Sequence, residues 1–350
     1  MIDFRYHLVS IVAVFLALAI GIVLGSTELQ GHTLDALRTT SDLLSRELAA
    51  ARAQSDTYQT QANNEDQFLQ SAEPRLLSKL LTGQNVVIVT EPGAQGSVVD
   101  ALTKAATTAD GNVIGQVALQ PKFNDISGAN QSSLSGINNS IATNDSIVLT
   151  TGSDPQTVYQ EQAAQLIATA ILDKGAGSTV LTSTAAQTLL STYAQDGYLT
   201  TSGTPTDRAT LAILVTPQSA PSDGPNDPAN QVLLAIAQEF ATASSATVVA
   251  GGTAGSASGS AISVLRSSSV SALVSSVDNA DTTLGQISVI EALAVQLAGG
   301  KPNSYGISGA SAVSPEQSLP SPSASASASA SASATPTAHP KTTGKAGKKK

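Results

Sequence analysis

The run from Leu8 to Leu24, LVSIVAVFLALAIGIVL, constrains everything that follows it. Fifteen of these seventeen residues are apolar, none is charged, and only Ser10 and Gly21 interrupt them. As a helix at roughly 1.5 Å per residue the run extends about 26 Å, close to the hydrocarbon thickness of a bilayer once Gly25 and a flanking turn are added. It is expected to be a transmembrane anchor over 8–25. No later segment is comparably long and apolar, so the rest of the chain is expected on one side of the membrane, tethered to it. A cleaved signal peptide competes for the same residues, because Val23 and Gly25 stand at the −3 and −1 positions before Ser26. The length of the run, with no polar small-residue stretch before that point, favours the uncleaved anchor. A buried core helix would need an amphipathic stripe, which the run lacks. The head, residues 1–7 (MIDFRYH), sets Arg5 and the terminal amine against Asp3, and the first charge after the span is Glu28. That balance puts the head in the cytoplasm and the body outside.

Charge divides the chain again near its end. Residues 1–313 carry twelve basic and twenty-five acidic side chains, a net of −13, whereas residues 314–350 carry five lysines against Glu316, a net of +4. A body this acidic offers no broad basic face for nucleic acid or anionic lipid. The chain has no cysteine, which removes thiolate nucleophiles, thiolate zinc sites and iron–sulfur clusters. From Ser314 onward, alternating Ser and Ala with scattered Pro cannot bury enough apolar surface to offset ordering entropy, so a disordered tail is expected over 314–350.

Between the anchor and residue 80 the composition turns polar and rich in Ala, Gln, Leu and Glu. Steps of three and four from Leu34 land on Leu34, Leu37, Ser41, Leu44, Leu48, Ala51, Ser55, Tyr58, Ala62, Glu65, Leu69, Ala72 and Leu76, ten of the thirteen apolar. A 3.5-residue repeat sustained this far predicts a coiled-coil stalk over 27–80. Its association seam is Leu34, Leu37, Leu44, Leu48, Leu69 and Leu76, serving a homo-oligomer or a hetero-oligomer. A single helix folded back on its own domain would show the same seam.

After Gly83 short β-branched runs alternate with helical stretches. Strands are expected at Asn85–Thr90, Asn112–Leu119, Ser146–Thr151, Thr179–Thr182, Thr210–Thr216, Ala246–Ala250 and Val270–Val277. Helices are expected at Ser97–Ala109, Thr157–Leu172, Ala185–Tyr193, Asn230–Ala243 and Gly285–Leu297. Such alternation predicts an extracytoplasmic α/β domain over 84–308 with a mostly parallel sheet covered on both faces.

Few residues in that domain suggest chemistry. The turn Glu91–Gly96 (EPGAQG) lies where a phosphate-cradling loop would, but it has neither the GxGxxG spacing nor a Walker lysine. Gly251, Gly252, Gly255 and Gly259 follow a strand and precede Ile262–Arg266, as either an anion-binding helix start or a plain connector. Asp278 and Asp281 concentrate oxygen ligands suited to a hard cation, without the spacing of an EF-hand, and capping of the next helix competes with that role. The histidines are His7, His32 and His339, so no catalytic triad can be assembled in the domain, and no enzymatic activity and no cofactor are expected.

The head MIDFRYHLVSIVAVFLALAIGIVLGS, the stalk after it, and VSSVDNADTTLGQ with the later Tyr305-Gly306 together resemble the actinobacterial copper-transport protein B family, also called MctB. The likeness covers roughly residues 1–308. It implies a membrane-anchored protein of the cell envelope acting in copper efflux and homeostasis, with copper as the transported ion and a pore in the outer membrane. Some family members are linked instead to cell separation, with a membrane partner and peptidoglycan hydrolases, which implies the alternative of an anchored scaffold with a cell-wall or division partner. Copper(I) selects Cys, Met and His, and only His32 and His7, each beside the span, stand as metal ligands. One helix per chain can line a pore only in an oligomer.

Overall fold

A computed structural model describes residues 4–152, 154–175, 181–218, 224–312 and 314–315, without the side chains of residues 4, 5, 26–36 and 256. Residues 179–180 of the expected strand Thr179–Thr182 fall outside these residues, as does the tail from residue 316, and Leu181 and Thr182 are not extended into a strand, because Thr182 caps the helix Ser183–Gln195. The first element is one unbroken helix, α1 (Phe4–Leu77), 74 residues long, in which the apolar span runs directly into the stalk. Its segment Tyr6–Gly25 is the one described helix long and apolar enough to cross a membrane, and none of it is buried against protein. Pro74 sits in the last turn, where a missing N–H costs only one terminal ladder bond. Lys79 (φ 65°) and Gly83 (φ 75°) then turn the chain into the sheet.

Seven strands form a single sheet. They are β1 (Asn85–Thr90), β2 (Asn112–Leu119), β3 (Leu199–Gly203), β4 (Leu211–Val215), β5 (Ala246–Ala250), β6 (Ser275–Val277) and β7 (Ser304–Tyr305), in the order β3-β2-β1-β4-β5-β6-β7. All pairings are parallel except that of β3 with β2, which is antiparallel at one edge. The central strands β4 (LAILV) and β5 (ATVVA) are buried at every residue, as a parallel strand covered on both faces must be.

Side-chain alternation along β1 shows what lies on each face. Val87 and Val89 belong to a core shared with α3 (Gly128–Asp145), α4 (Val158–Ile171), α5 (Ser183–Gln195), α6 (Pro228–Ala243) and α7 (Ala261–Ser267). Val86 and Ile88 point the other way, into a core with α2 (Gly96–Thr108), α8 (Thr283–Leu297) and the end of α1. The result is an α/β/α domain of three layers. α8, the other apolar helix, has nine buried residues, so its hydropathy reflects a core position.

β3, β7, α3 and α7 are not among the expected strands and helices, and two further expected strands depart from their predicted form. Ser146–Thr151 is not a strand: Val148 is 87% exposed, and the local backbone is satisfied by glutamines of α4 instead of by a neighbouring strand. Gln165 accepts from Thr150 N–H and donates to the Val148 carbonyl, while Gln162 donates to the Thr150 carbonyl. Only Ser275–Val277 of the expected strand Val270–Val277 is extended, because Ser268 caps a short 3₁₀ turn over Ser269–Ala272.

Candidate functional site

Three regions hold the residues singled out by the sequence. The first is α1 itself. His7 lies on α1 at the start of the apolar segment and is not covered by protein, whereas the side chains of His32 and Leu34 lie outside the described residues. The seam is divided between two environments. Leu37, Leu44 and Leu48 are exposed at 68, 60 and 51%. Leu69 and Leu76 pack instead on the core of their own α/β domain, beside the fully buried Leu77 and Leu81. Glu73 is buried in the same stripe, and Asp66 accepts a hydrogen bond from Thr283 N–H at the start of α8. A carboxylate at that helix N-terminus is favoured by the backbone dipole. The lower end of the stalk is thus part of the domain core.

The second region is the carboxyl edge of the sheet, where strand order reverses between β1 and β4. Doubly wound sheets bind ligands in the crevice outside such a switch point. Here the turn Glu91–Gly96 meets the segment after β4. Gly93 adopts φ 88°, and a Cβ on it would lie 3.4 Å from the Pro217 side chain. Gln95 donates to the Gln218 side chain across the gap. Pro217 and Gln218 therefore lie over the turn that resembled a phosphate loop. Glu91 is 4% exposed, one of its carboxylate oxygens has no hydrogen-bond partner, and burial pushes its pKa up to about 8. It is held as a neutral acid near pH 7. Gly251 is required by close approach, since a Cβ there would meet Thr216 Oγ1 and Ile262 Cγ1 at 2.9 Å.

In the third region Asp278 and Asp281 do not converge on one cation position, because each is spent on a different partner. Asp278 is fully buried and binds Arg266 Nη1 at 2.8 Å, while its two oxygens accept from Ile307 N–H at 2.7 Å and Ser308 N–H at 2.8 Å. Arg266 also donates from Nε to Ser276 Oγ at 3.0 Å and from Nη2 to the Tyr305 carbonyl at 2.7 Å, and it contacts the Ser308 carbonyl. Asp281 instead accepts from the N–H and hydroxyl of Thr253, tying α8's approach to the loop after β5. Thr282 caps α8 by accepting from Gly285 N–H at 3.1 Å. No group of three or more His, Cys, Asp or Glu among the described residues is placed to hold a metal.

This clasp explains why the motif needs its glycines. Gly306 has φ 125°, and a Cβ there would sit 1.7 Å from Asp278 Oδ1. A Cβ on Gly285 would sit 1.9 Å from the Asn279 carbonyl oxygen. The motif VSSVDNADTTLGQ and the later Tyr-Gly are one buried structure closing the far edge of the sheet. Arg266 was the residue that sequence reasoning missed. Its signal is a lone arginine in an otherwise uncharged stretch, Ala257–Val277.

Comparison with known proteins places these features in one family. A family model described as "Copper transport outer membrane protein, MctB" matches residues 1–315, which takes in the span, the stalk and the clasp. Proteins named Copper transporter MctB from Mycobacterium tuberculosis and Mycobacterium bovis are 30% identical over 326 residues, covering 91% of this chain and all of the relative. The protein of that name from Mycobacterium leprae is 28% identical over 328 residues, with the same coverage. With an apolar N-terminal helix, a long stalk and an α/β domain all inside the matched region, this chain belongs to the MctB family of copper transport outer membrane proteins.

Proposed function

We propose that the chain is a non-enzymatic, membrane-tethered component of copper efflux in the cell envelope. Its α/β domain lies outside the cytoplasm, and copper is its transported ion. The observation that carries this reading is the full-length match to relatives named as copper transporters, with the N-terminal span inside the matched region. Arg5 and the terminal amine before the span favour the orientation with the domain outside. His7 and His32, both on α1 and close to the bilayer, are the side chains proposed to meet copper. A single imidazole binds copper weakly, so histidines contributed by several copies of α1 would supply the site. The seven described strands form an open, mostly parallel sheet, so a conduit for the ion would be built by assembly of spans and not by this sheet.

The test is the copper content of cells lacking the gene, compared with their parent under copper challenge. Copper is expected to accumulate and to return to the parental level with the intact gene, but not with a His7→Ala, His32→Ala variant. Equal copper in the two strains would refute the efflux role. Full rescue by the double variant would refute the histidines alone.

A further inference from the structure

The exposed part of the stalk presents a docking face whose geometry and charge specify its occupant. In the heptad frame a and d are Leu37 (d), Ser41 (a), Leu44 (d), Leu48 (a), Ala51 (d), Ser55 (a), Tyr58 (d) and Ala62 (a). Two successive grooves open on this face. One takes in Leu37, Thr40, Ser41, Leu44, Ser45 and Leu48, and the other is lined by Ala51, Gln54, Ser55, Tyr58, Gln59 and Ala62. These are a, d, e and g positions only, the four-residue holes that receive the knobs of a facing helix. The set Ser41, Leu44, Ser45 and Leu48 forms the hole for a d-position knob, and Leu44 is the residue that a second copy in the same register would insert there.

We propose that the occupant is a second copy of this chain, joined as a parallel, in-register coiled coil over residues 37–62. Parallel alignment follows from the tether: both copies leave one membrane at the same end of α1. Charge complementarity supports the register. In a parallel pair each g residue faces the e residue five positions later on the other helix. Glu47 then faces Arg52 of the second copy, Gln54 faces Gln59, and Thr40 faces Ser45, so the one pair of two charges is attractive, occurs twice by symmetry, and meets no like-charge pair. The seam stops near residue 62 because Leu69 and Leu76 are packed on their own domain and Asp66 is bonded to Thr283. Ser41 and Ser55 make the seam weak for a free peptide, and confinement to one bilayer raises the effective concentration that offsets this. The dimer does not depend on the copper reading.

The absence of cysteine in the chain makes the test direct. Single variants Leu44→Cys, Leu48→Cys and Ala53→Cys of the full-length protein are oxidised in the native membrane and run without reductant. Position 53 is an f position on the opposite face. The a and d variants are expected to give a species of twice the monomer mass, and the position 53 variant is expected to stay monomeric. In the Leu44→Cys background, Glu47→Arg should lower the linked fraction severalfold, and adding Arg52→Glu should restore it. Monomer from both seam variants, linkage to a polypeptide of another mass, or equal linkage at position 53 would overturn the dimer. A charge-swapped double variant no better than the single would overturn the register.

Discussion

Replacing Asp278 with alanine isolates the energetics of the clasp. The carboxylate is fully buried, its Arg266 partner is only 9% exposed at the side chain, and two backbone N–H groups depend on it. Removing one member of a buried ion pair costs about 3–5 kcal/mol, because the remaining charge is left without compensation. The orphaned Ile307 and Ser308 N–H groups would each add about 1–3 kcal/mol if they stayed dry. Ile307 is itself 66% exposed, so water can reach these groups once the carboxylate is gone. The expected loss is therefore about 4 kcal/mol, set by Arg266. For a domain of this size each kcal/mol lowers Tm by about 2–4 °C, which gives a fall of about 8–16 °C. The assay is thermal unfolding of the full chain in detergent, followed by far-UV circular dichroism. A double variant, Asp278→Ala with Arg266→Met, should lose much less than the sum of the two single losses, because it removes the stranded charge. A fall under 3 °C for Asp278→Ala, or strict additivity in the double variant, would refute the reasoning.

Two further outcomes follow from groups already described. Gly306→Ala should cost at least about 2 kcal/mol, since its Cβ would overlap Asp278 Oδ1 and its φ of 125° suits only glycine; thermal unfolding would show it, and an unchanged Tm would refute the close approach. Glu91 has its pKa raised from 4.5 to about 8 by burial, so the folded state keeps a proton that the unfolded state releases between those values. Its contribution to stability is full below about pH 4.5, declines as pH rises toward 8, and is level above that. Glu91→Gln should therefore gain stability relative to the parent between pH 5 and pH 8, and parallel Tm profiles for the two would refute the buried acid.

The parts legible in the sequence were those with strong periodicity. β1, β4 and β5 are runs of β-branched and aliphatic residues buried on both faces, and α1 combines an apolar span with a heptad stripe. α3 escaped because its core-facing side mixes Leu134, Ile137 and Ile141 with Asn130 and Asn138, which are buried and accept from the hydroxyls of Tyr198 and Tyr193, so GANQSSLSGINNSIATND carries only a thin apolar period. The same chemistry misled the reading of SIVLTT, whose strand-like composition is answered by Gln162 and Gln165 side chains. For the motif at Asp278, the sequence revealed oxygen-rich chemistry but not its partner, because Arg266 lies twelve residues away across a 3₁₀ turn and a strand. Conversely, the seam was visible as a stripe, but the share claimed by the chain's own domain depends on the docking of Leu69 and Leu76.

The continuity of α1 turns the stalk into a ruler. From Gly25 at the edge of the apolar segment to Asp66 at the start of the domain contact, an unbroken helix extends about 60 Å at roughly 1.5 Å per residue. The domain works at a fixed standoff from the bilayer, and its bearing around the helix axis is fixed by the same residues. Each added heptad would push it about 10 Å further out with little rotation, whereas four added residues would turn it by about 40°. The distance at which the domain stands from the bilayer, and the direction it faces there, are thereby written in helix length.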